Sequence, residues 1–369
     1  MRWLKLSTST NKQKFLNAYH VVFLVQSVMI GTGILSLPQK LSSLGYSQAF
    51  MPLLFGVIAS VTLYPMIWIN KKYPDANLFR INEILLGKWL GKTINLLFVV
   101  QFIIFIAGII SNYMHLIQST ALQEQTITGP VFVFLLLLVY IVSGGIKSIA
   151  RFCIMTFFLT IGMIYFTHWA FEKGDMSHFL PLFNFFSVND FYDALKRGYL
   201  SILGYELIMF YFPYIVDQQK AYRHSLIGIW ISILLCFITT AISVMYFSEW
   251  QLENVEFSVL NLFKAGEFSF IERIDIFGIT LWVFLILSTV AVYLWCAKKG
   301  VDSLLAKKSN MHLYIIAIII FFVVKLPSSR DFQDQLFTGA NYVGYMVVFW
   351  PILLILVYLL RKKKQVQQS

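Results

Sequence analysis

The stretch Gly31-Thr32-Gly33-Ile34-Leu35-Ser36-Leu37-Pro38 lies inside the first long apolar run of the chain, which carries no charge between Lys14 and Lys40. The two glycines around the threonine are poor helix formers, since each glycine costs roughly 1 kcal/mol relative to alanine. Pro38 has no backbone N–H to donate within a helix. The stretch therefore predicts a break in a membrane-spanning helix, where backbone groups lose their intrahelical partners.

Such a break has two interpretations. Unpaired backbone at membrane depth is tolerated only where it is buried in protein or lines a wet cavity, and broken helices form small-molecule sites in many transporters. In that case exposed amides at Gly31 and Gly33 hold the carboxylate of a ligand, and replacing either glycine by alanine weakens the response to the ligand while leaving protein level and assembly largely intact. Alternatively, the glycines serve only helix packing or a simple kink.

The composition predicts an all-α polytopic membrane protein. Of the 369 residues, 58% are hydrophobic and only 13% are charged, and the apolar runs reach about 20 residues, the length that spans a bilayer. The net charge of +11 comes from basic residues at the ends of these runs, which membrane topology explains better than nucleic-acid binding. Three isolated cysteines, without a CxxC spacing, predict neither a disulfide framework nor a metal site.

We predict ten transmembrane helices in a single integral membrane domain. A further segment, 76–91, is predicted to be an amphipathic helix on the membrane surface. The ten helices divide into two halves of five, with the first repeat over about 15–170 and the second over about 195–360. Their predicted ranges are 15–44 (broken at 31–33), 48–70, 93–118, 128–146, 152–170, 195–216, 225–247, 271–296, 311–326 and 340–360.

The distribution of charge predicts the orientation. If both termini are cytoplasmic, most basic residues fall on cytoplasmic connections, as the positive-inside rule requires. The connections 171–194 and 248–270 then lie outside, and both are acidic and longer than simple hairpins. They are interpreted either as solvated outer surface or as a docking face for a partner outside the cytoplasm.

A second candidate site is Leu203-Gly204-Tyr205-Glu206, which is followed by Pro213. Glu206 is an acidic residue well inside a predicted span, where such residues are costly and usually face the bundle interior or water. Glu206 is interpreted either as a structural carboxyl or as part of a ligand site. Its position favours function, because a glycine break followed by a proline opens both halves of the chain, and matched interruptions indicate a transporter-type site.

Other polar side chains inside predicted spans complete the candidate site. Gln101 lies on the third helix, and the eighth helix carries Ser288, Thr289 and Tyr293. Each of them alone also fits a hydrogen bond between helices. The candidate ligand-binding residues are Gly31, Thr32, Gly33, Gln101, Gly204, Tyr205, Glu206, Ser288, Thr289 and Tyr293.

Enzyme motifs are absent from the sequence. The chain has no P-loop, no HExxH and no nucleophile elbow, and the Gly31-Thr-Gly33 stretch lacks the third glycine of a dinucleotide loop. We therefore predict that the protein is not an enzyme, with no catalytic residues, no cofactor and no metal.

With its Gly-x-Gly-Ile break, the chain resembles the amino acid–polyamine–organocation (APC) transporter superfamily. It is more similar still to one branch, the B subunits of the germinant receptors of Bacillus-type endospores. This closer resemblance rests on Gly87-Lys-Trp-Leu-Gly91, Gly144-Gly145, Leu203-Gly-Tyr-Glu206 with Pro213, and Phe270-Ile-Glu-Arg273, and it runs nearly from end to end.

The resemblance implies a fold of two inverted five-helix repeats, like that of LeuT, with helices 1 and 6 broken. It also implies residence in the spore inner membrane beside an A subunit and a lipoprotein C subunit. The implied function is recognition of a small nutrient, commonly an amino acid, that triggers germination. The expected partners are thus this ligand, the A and C subunits and membrane lipid, without nucleic acid.

Three functions are weighed against one another. The first is a ligand-sensing receptor subunit, and the second is an active amino-acid symporter with the same fold and pocket. Some proton-coupled relatives carry a lysine in the middle of the fifth helix, and 152–170 has no lysine, which argues against coupling by that device. The third, a purely structural membrane partner, fits poorly with two matched helix breaks.

Overall fold

The computed structural model describes residues 14–120, 126–180, 187–266, 274–325 and 330–367. Within these ranges, six helical segments are long and apolar enough to cross a membrane: Ser42–Lys72, Lys88–Thr120, Gly145–Lys173, Ala221–Tyr246, Ile274–Leu304 and Tyr342–Lys362. Three shorter apolar helices accompany them: Ala18–Met29, Thr128–Ser143 and Met311–Lys325. The prediction of an all-α, multi-pass membrane protein is confirmed, whereas the count of ten spans stays a prediction.

The helices are numbered in chain order: α1 (Ala18–Met29), α2 (Leu37–Lys40), α3 (Met51–Lys72), α4 (Leu78–Leu86), α5 (Lys88–Thr120), α6 (Thr128–Ser143), α7 (Gly145–Thr160), α8 (His168–Lys173), α9 (Val188–Tyr199), α10 (Ile208–Tyr211), α11 (Ala221–Tyr246), α12 (Glu249–Asn254), α13 (Ser258–Phe263), α14 (Ile274–Leu304), α15 (Met311–Lys325) and α16 (Arg330–Gln367). Both broken segments contain short 3₁₀ turns, at Thr32–Ile34, Leu200–Ile202 and Tyr205–Leu207.

The segment 76–91 was predicted to be one amphipathic helix on the membrane surface, but it contains helix α4 and the start of helix α5. The amphipathic helix α4 ends at Gly87, whose φ is +88°, and α5 begins at the next residue rather than at 93. The apolar side of α4 packs against α5, and its buried Asn82 donates to the side chain of Asn95 and accepts a hydrogen bond from Trp350. These buried amide contacts fix α4 against the bundle.

Helix α14 is the centre of the bundle. It packs against α1, α5, α6, α7 and α15, and every residue from Leu285 to Ala297 is buried. A helix that is apolar on all sides is buried on all sides, and the few polar side chains of α14 therefore have to find partners inside the protein. This places Thr289 and Tyr293 against the two broken segments.

The two broken segments are also joined at the end of the molecule where α1 begins. The backbone of Leu16 pairs with Ile215 as an isolated parallel bridge, in which Leu16 N donates to Tyr214 O and Val216 N donates to Leu16 O. At the opposite end, the two long acidic connections meet, since Lys173 Nζ donates to Ala265 O at 3.2 Å. Both connections are thus on one side of the molecule, and which side faces the cytoplasm stays a prediction.

Candidate functional site

The first break has the shape that its glycines predict. Helix α1 ends at Met29, and Ile30 leaves the helical conformation with φ −100° and ψ 87°. A 3₁₀ turn covers Thr32–Ile34 before the helix resumes as α2. Pro38 lies in the first turn of α2, where an N–H would have no partner in the helix. Pro38 therefore starts the second half-helix instead of causing the break.

Side chains of α14 satisfy the carbonyl groups that the break exposes. Thr289 Oγ1 lies 2.9 Å from Ser27 O, 3.1 Å from Ile30 O and 3.0 Å from Leu285 O of its own helix. Because a hydroxyl has one hydrogen, Thr289 donates to one of these carbonyls at a time. Trp282 Nε1 donates to Gly31 O at 3.4 Å. These contacts hold the end of α1 to the centre of the bundle.

The second break is built around Gly204. Leu203 is extended, and Gly204 follows with φ +131°, a conformation that residues with a side chain rarely adopt. The buried carboxyl of Glu206 spans this bend, because its Oε2 accepts from Gly204 N at 2.7 Å and its Oε1 accepts from Tyr293 Oη at 3.2 Å. Glu206 thus orders the unwound backbone of its own segment and ties it to α14.

The two breaks touch each other. A Cβ atom on Gly33 would lie 2.7 Å from both Cα and O of Ser201, and one on Gly204 would lie 2.6 Å from Val28 Cγ1 and 2.8 Å from Val28 O. Each break therefore presents a glycine to the backbone of the other segment. The close approach brings the two predicted sites together as a single candidate site.

A cavity of about 100 Å³ lies beside this crossing. Its polar lining comes from Thr32, Lys40, Asn112, Ser201 and Thr289, and its apolar lining includes Phe105, Ile109 and Phe337. The volume is well below the roughly 300–1,000 Å³ of sites for drug-sized ligands. The cavity therefore has room only for a small molecule, and its lining is partly polar and partly apolar.

Four of the ten predicted site residues line this cavity, namely Gly31, Thr32, Gly33 and Thr289. Three others make contacts at the two breaks or with α14. Gly204 packs on α1, while Glu206 and Tyr293 bond to each other.

The remaining three predicted residues make contacts elsewhere. Tyr205 Oη hydrogen-bonds to Thr62 and Tyr199, towards α3, and Ser288 donates to Leu285 O in its own helix. Gln101 is buried on α5, and its Oε1 has no hydrogen-bond partner among the described residues.

Sequence reasoning missed Lys40 and Ser201. Lys40 Nζ donates to Ser201 Oγ at 3.0 Å, which links α2 to the turn before the second break. In the sequence, Lys40 stands out only as the charge that ends the first apolar run. A usable signal was its spacing from the break, since side chains in a helix tilt towards its amino end and a lysine about two turns beyond Gly33 points back towards the break.

The two glycines of the first break are expected to differ in how well they tolerate alanine, because only Gly33 closely approaches the other broken segment. Gly33→Ala is expected to lower the amount of protein in the membrane, because the added methyl meets the backbone of Ser201 and overpacking costs roughly 1–3 kcal/mol. In Gly31→Ala the added methyl lies 3.5 Å from Thr289 Cγ2, an ordinary contact, and normal abundance is expected. Immunoblots of membrane fractions compare the two variants, and equal abundance of both would contradict the packing role of Gly33.

The fold is shared with known membrane transporters. MhsT in complex with L-phenylalanine superimposes with a TM-score of 0.66 at 14% identity, covering 91% of this chain and 89% of that chain. MHP1, a nucleobase-cation-symport-1 family transporter, superimposes with a TM-score of 0.65 at 11% identity, covering 91% and 78%. At such low identity these matches show the fold, and they confirm the predicted LeuT-like architecture with its broken helices.

The sequence comparisons identify the family. "Spore germination protein GerQB" of Bacillus cereus is 25% identical over 344 residues, covering 91% of this chain and 93% of that protein. "Spore germination protein A2" of Bacillus subtilis is 23% identical over 359 residues, covering 94% and 96%. The family model described as "Spore germination protein" matches residues 15–333. On this evidence, the chain belongs to the spore germination protein (Spore_permease) family.

Proposed function

We propose that this protein is the B subunit of a spore germinant receptor, which binds a small nutrient at the crossing of its two broken helices and thereby triggers germination. The observation that carries the proposal is the cavity of about 100 Å³ at this crossing, in a chain of the spore germination protein family. The broken backbone and the cavity coincide, as in transporter-type binding sites.

The proposed nutrient is an amino acid. The cavity combines hydroxyl, amide and ammonium groups with aromatic and aliphatic side chains, which suits a small molecule that has a charged backbone and an apolar side chain. A protein of the same fold is described in complex with L-phenylalanine. The proposed setting is the spore inner membrane, with both termini in the cytoplasm and with receptor A and C subunits as partners.

The second candidate function is an amino-acid symporter. It is favoured by the fold, because solved structures of the same fold include a nucleobase-cation symporter and a Na⁺-coupled sialic acid symporter. A sensor and a symporter share the binding step and differ in whether the ligand crosses the membrane. A protein that only senses needs to convert binding into a change at its partner subunits.

Deletion of the gene in the spore-forming host tests the proposal. If the protein is a sensor, deletion abolishes germination in response to a defined nutrient, while uptake of that radiolabelled nutrient by vegetative cells and by spores stays unchanged. Complementation with the intact gene restores the response. Loss of uptake in the deletion strain favours the symporter, and an unchanged response to every nutrient tested overturns the receptor function.

A further inference from the structure

The cavity at the crossing contains one charged side chain among its described lining residues, that of Lys40. Lys40 is half-buried at the end of α2, and its ammonium donates to Ser201 Oγ at 3.0 Å. An ammonium group has three N–H donors. Since Ser201 accepts one, two remain for a ligand or for water.

No carboxylate lies within ion-pair distance of Lys40 in the described part of the chain. The carboxylate of Glu256 acts on Lys40 only electrostatically, and Glu256 is exposed to solvent, where such an interaction is screened. A cation inside a membrane protein is costly unless it is paired or wet. The cavity therefore holds a positive charge without a close protein counter-charge.

The surroundings of Lys40 indicate which ligand group is missing. A carboxylate accepts charge-assisted hydrogen bonds from an ammonium, which are roughly twice as strong as neutral ones. Ser201 and Thr32 add hydroxyl groups beside Lys40, whereas no acidic residue lines the cavity among the described residues. The cavity is thus electrostatically complementary to an anion rather than to a cation or a neutral molecule.

We propose that Lys40 binds the carboxylate of the ligand and restricts this site to small carboxylic acids, including amino acids. This inference rests on the proposed function and goes beyond it by assigning the residue that recognises the anionic group. It also separates this protein's ligand class from nucleosides and sugars, which lack a carboxylate.

The test compares ligands and variants in spores in which this protein is expressed from its own promoter in the deletion strain. The probes are L-alanine, L-valine and L-asparagine, each paired with its carboxamide, and inosine and glucose as uncharged probes. We expect the intact protein to respond to at least one carboxylate and to its carboxamide only at a concentration at least about tenfold higher. This comparison of ligands needs no variant.

Lys40→Met keeps the length of the side chain and removes its charge, and Lys40→Arg keeps the charge. We expect Lys40→Met to raise the half-maximal carboxylate concentration at least about tenfold and Lys40→Arg to raise it less. The matched control is Lys92→Met, because Lys92 is also half-buried and donates to a single oxygen, Leu304 O at 2.9 Å, away from the cavity. Immunoblots check that the variants are equally abundant. If a variant fails to accumulate, a thermal-shift assay of the purified receptor with L-alanine takes the place of the germination assay.

The outcomes separate this inference from the proposed function. Equal potency of a carboxylate and its carboxamide, a response only to inosine or glucose, or an unchanged dose–response in abundant Lys40→Met would overturn the role of Lys40 and leave the receptor function standing. If no probe triggers a germination response that depends on this gene, the result counts against the proposed function itself.

Discussion

Replacing Gly204 by alanine is expected to remove most of the protein from the membrane. At φ +131°, a residue with a Cβ atom is strained by about 1–2 kcal/mol. The added methyl would also lie 2.6 Å from Val28 Cγ1 and 2.8 Å from Val28 O, and overpacking of this kind costs about 1–3 kcal/mol. Because a loss of even 1–2 kcal/mol changes cellular abundance several-fold, we expect at least about a fivefold decrease in immunoblots of membrane fractions.

Gly162→Ala is the matched control for this prediction. Gly162 also lies in a segment long and apolar enough to span the membrane, Gly145–Lys173, but an added Cβ meets no atom within 4 Å. Its abundance should equal that of the wild type. Normal accumulation of Gly204→Ala would mean that the second break does not pack on α1 as described.

Glu206→Ala is expected to have the second large effect. The change removes the acceptors for Gly204 N–H and Tyr293 Oη, and each buried donor left unpaired costs about 1–3 kcal/mol. The unwound backbone then lacks the side chain that orders it. We expect a several-fold loss of protein in immunoblots of membrane fractions. The control is Tyr293→Phe, which removes only one of the two hydrogen bonds and should therefore lose less protein.

Glu206→Gln separates the structural role of this carboxyl from a role in ligand recognition. Glutamine retains both contacts, because its carbonyl oxygen accepts from Gly204 N and its amide donates to Tyr293 Oη. We expect normal abundance with a changed half-maximal nutrient concentration, since the carboxyl group at the second break is replaced by an amide. If Glu206→Gln responds as the wild type does while Glu206→Ala is missing from the membrane, Glu206 is only structural.

Much of the fold was predictable because its signals are local. A bilayer requires about 20 apolar residues per helix, and glycine lowers helix stability wherever it stands, so the spans and both breaks could be located along the chain. The bounds were less accurate at α5, α9, α14 and α16, where polar residues continue the helix beyond the apolar run. Phe270-Ile-Glu-Arg273, one of the motifs that carried the family resemblance, lies outside the described residues.

The composition of the site was less predictable. The sequence indicated Gly31, Thr32, Gly33 and Thr289 as site residues, and all four line the cavity. It also grouped Tyr205, Ser288 and Gln101 with them, because a polar residue inside a span has to find a partner. A polar side chain in a sequence does not show whether that partner is a ligand, another helix or its own backbone.

By itself, the sequence determined the helical membrane class, the two broken helices and the presence of a carboxyl near the second break, since each follows from residue type and local spacing. The tertiary structure alone decided that Gly33 packs on Ser201, that Glu206 caps its own backbone and that Lys40 enters the cavity. The contacts of Gly33 and Lys40 with Ser201 join segments far apart in the chain, and the contact of Glu206 with Gly204 N depends on the bend at Gly204. They depend on how the half-helices cross, and crossing is set by close packing in three dimensions rather than by any local pattern.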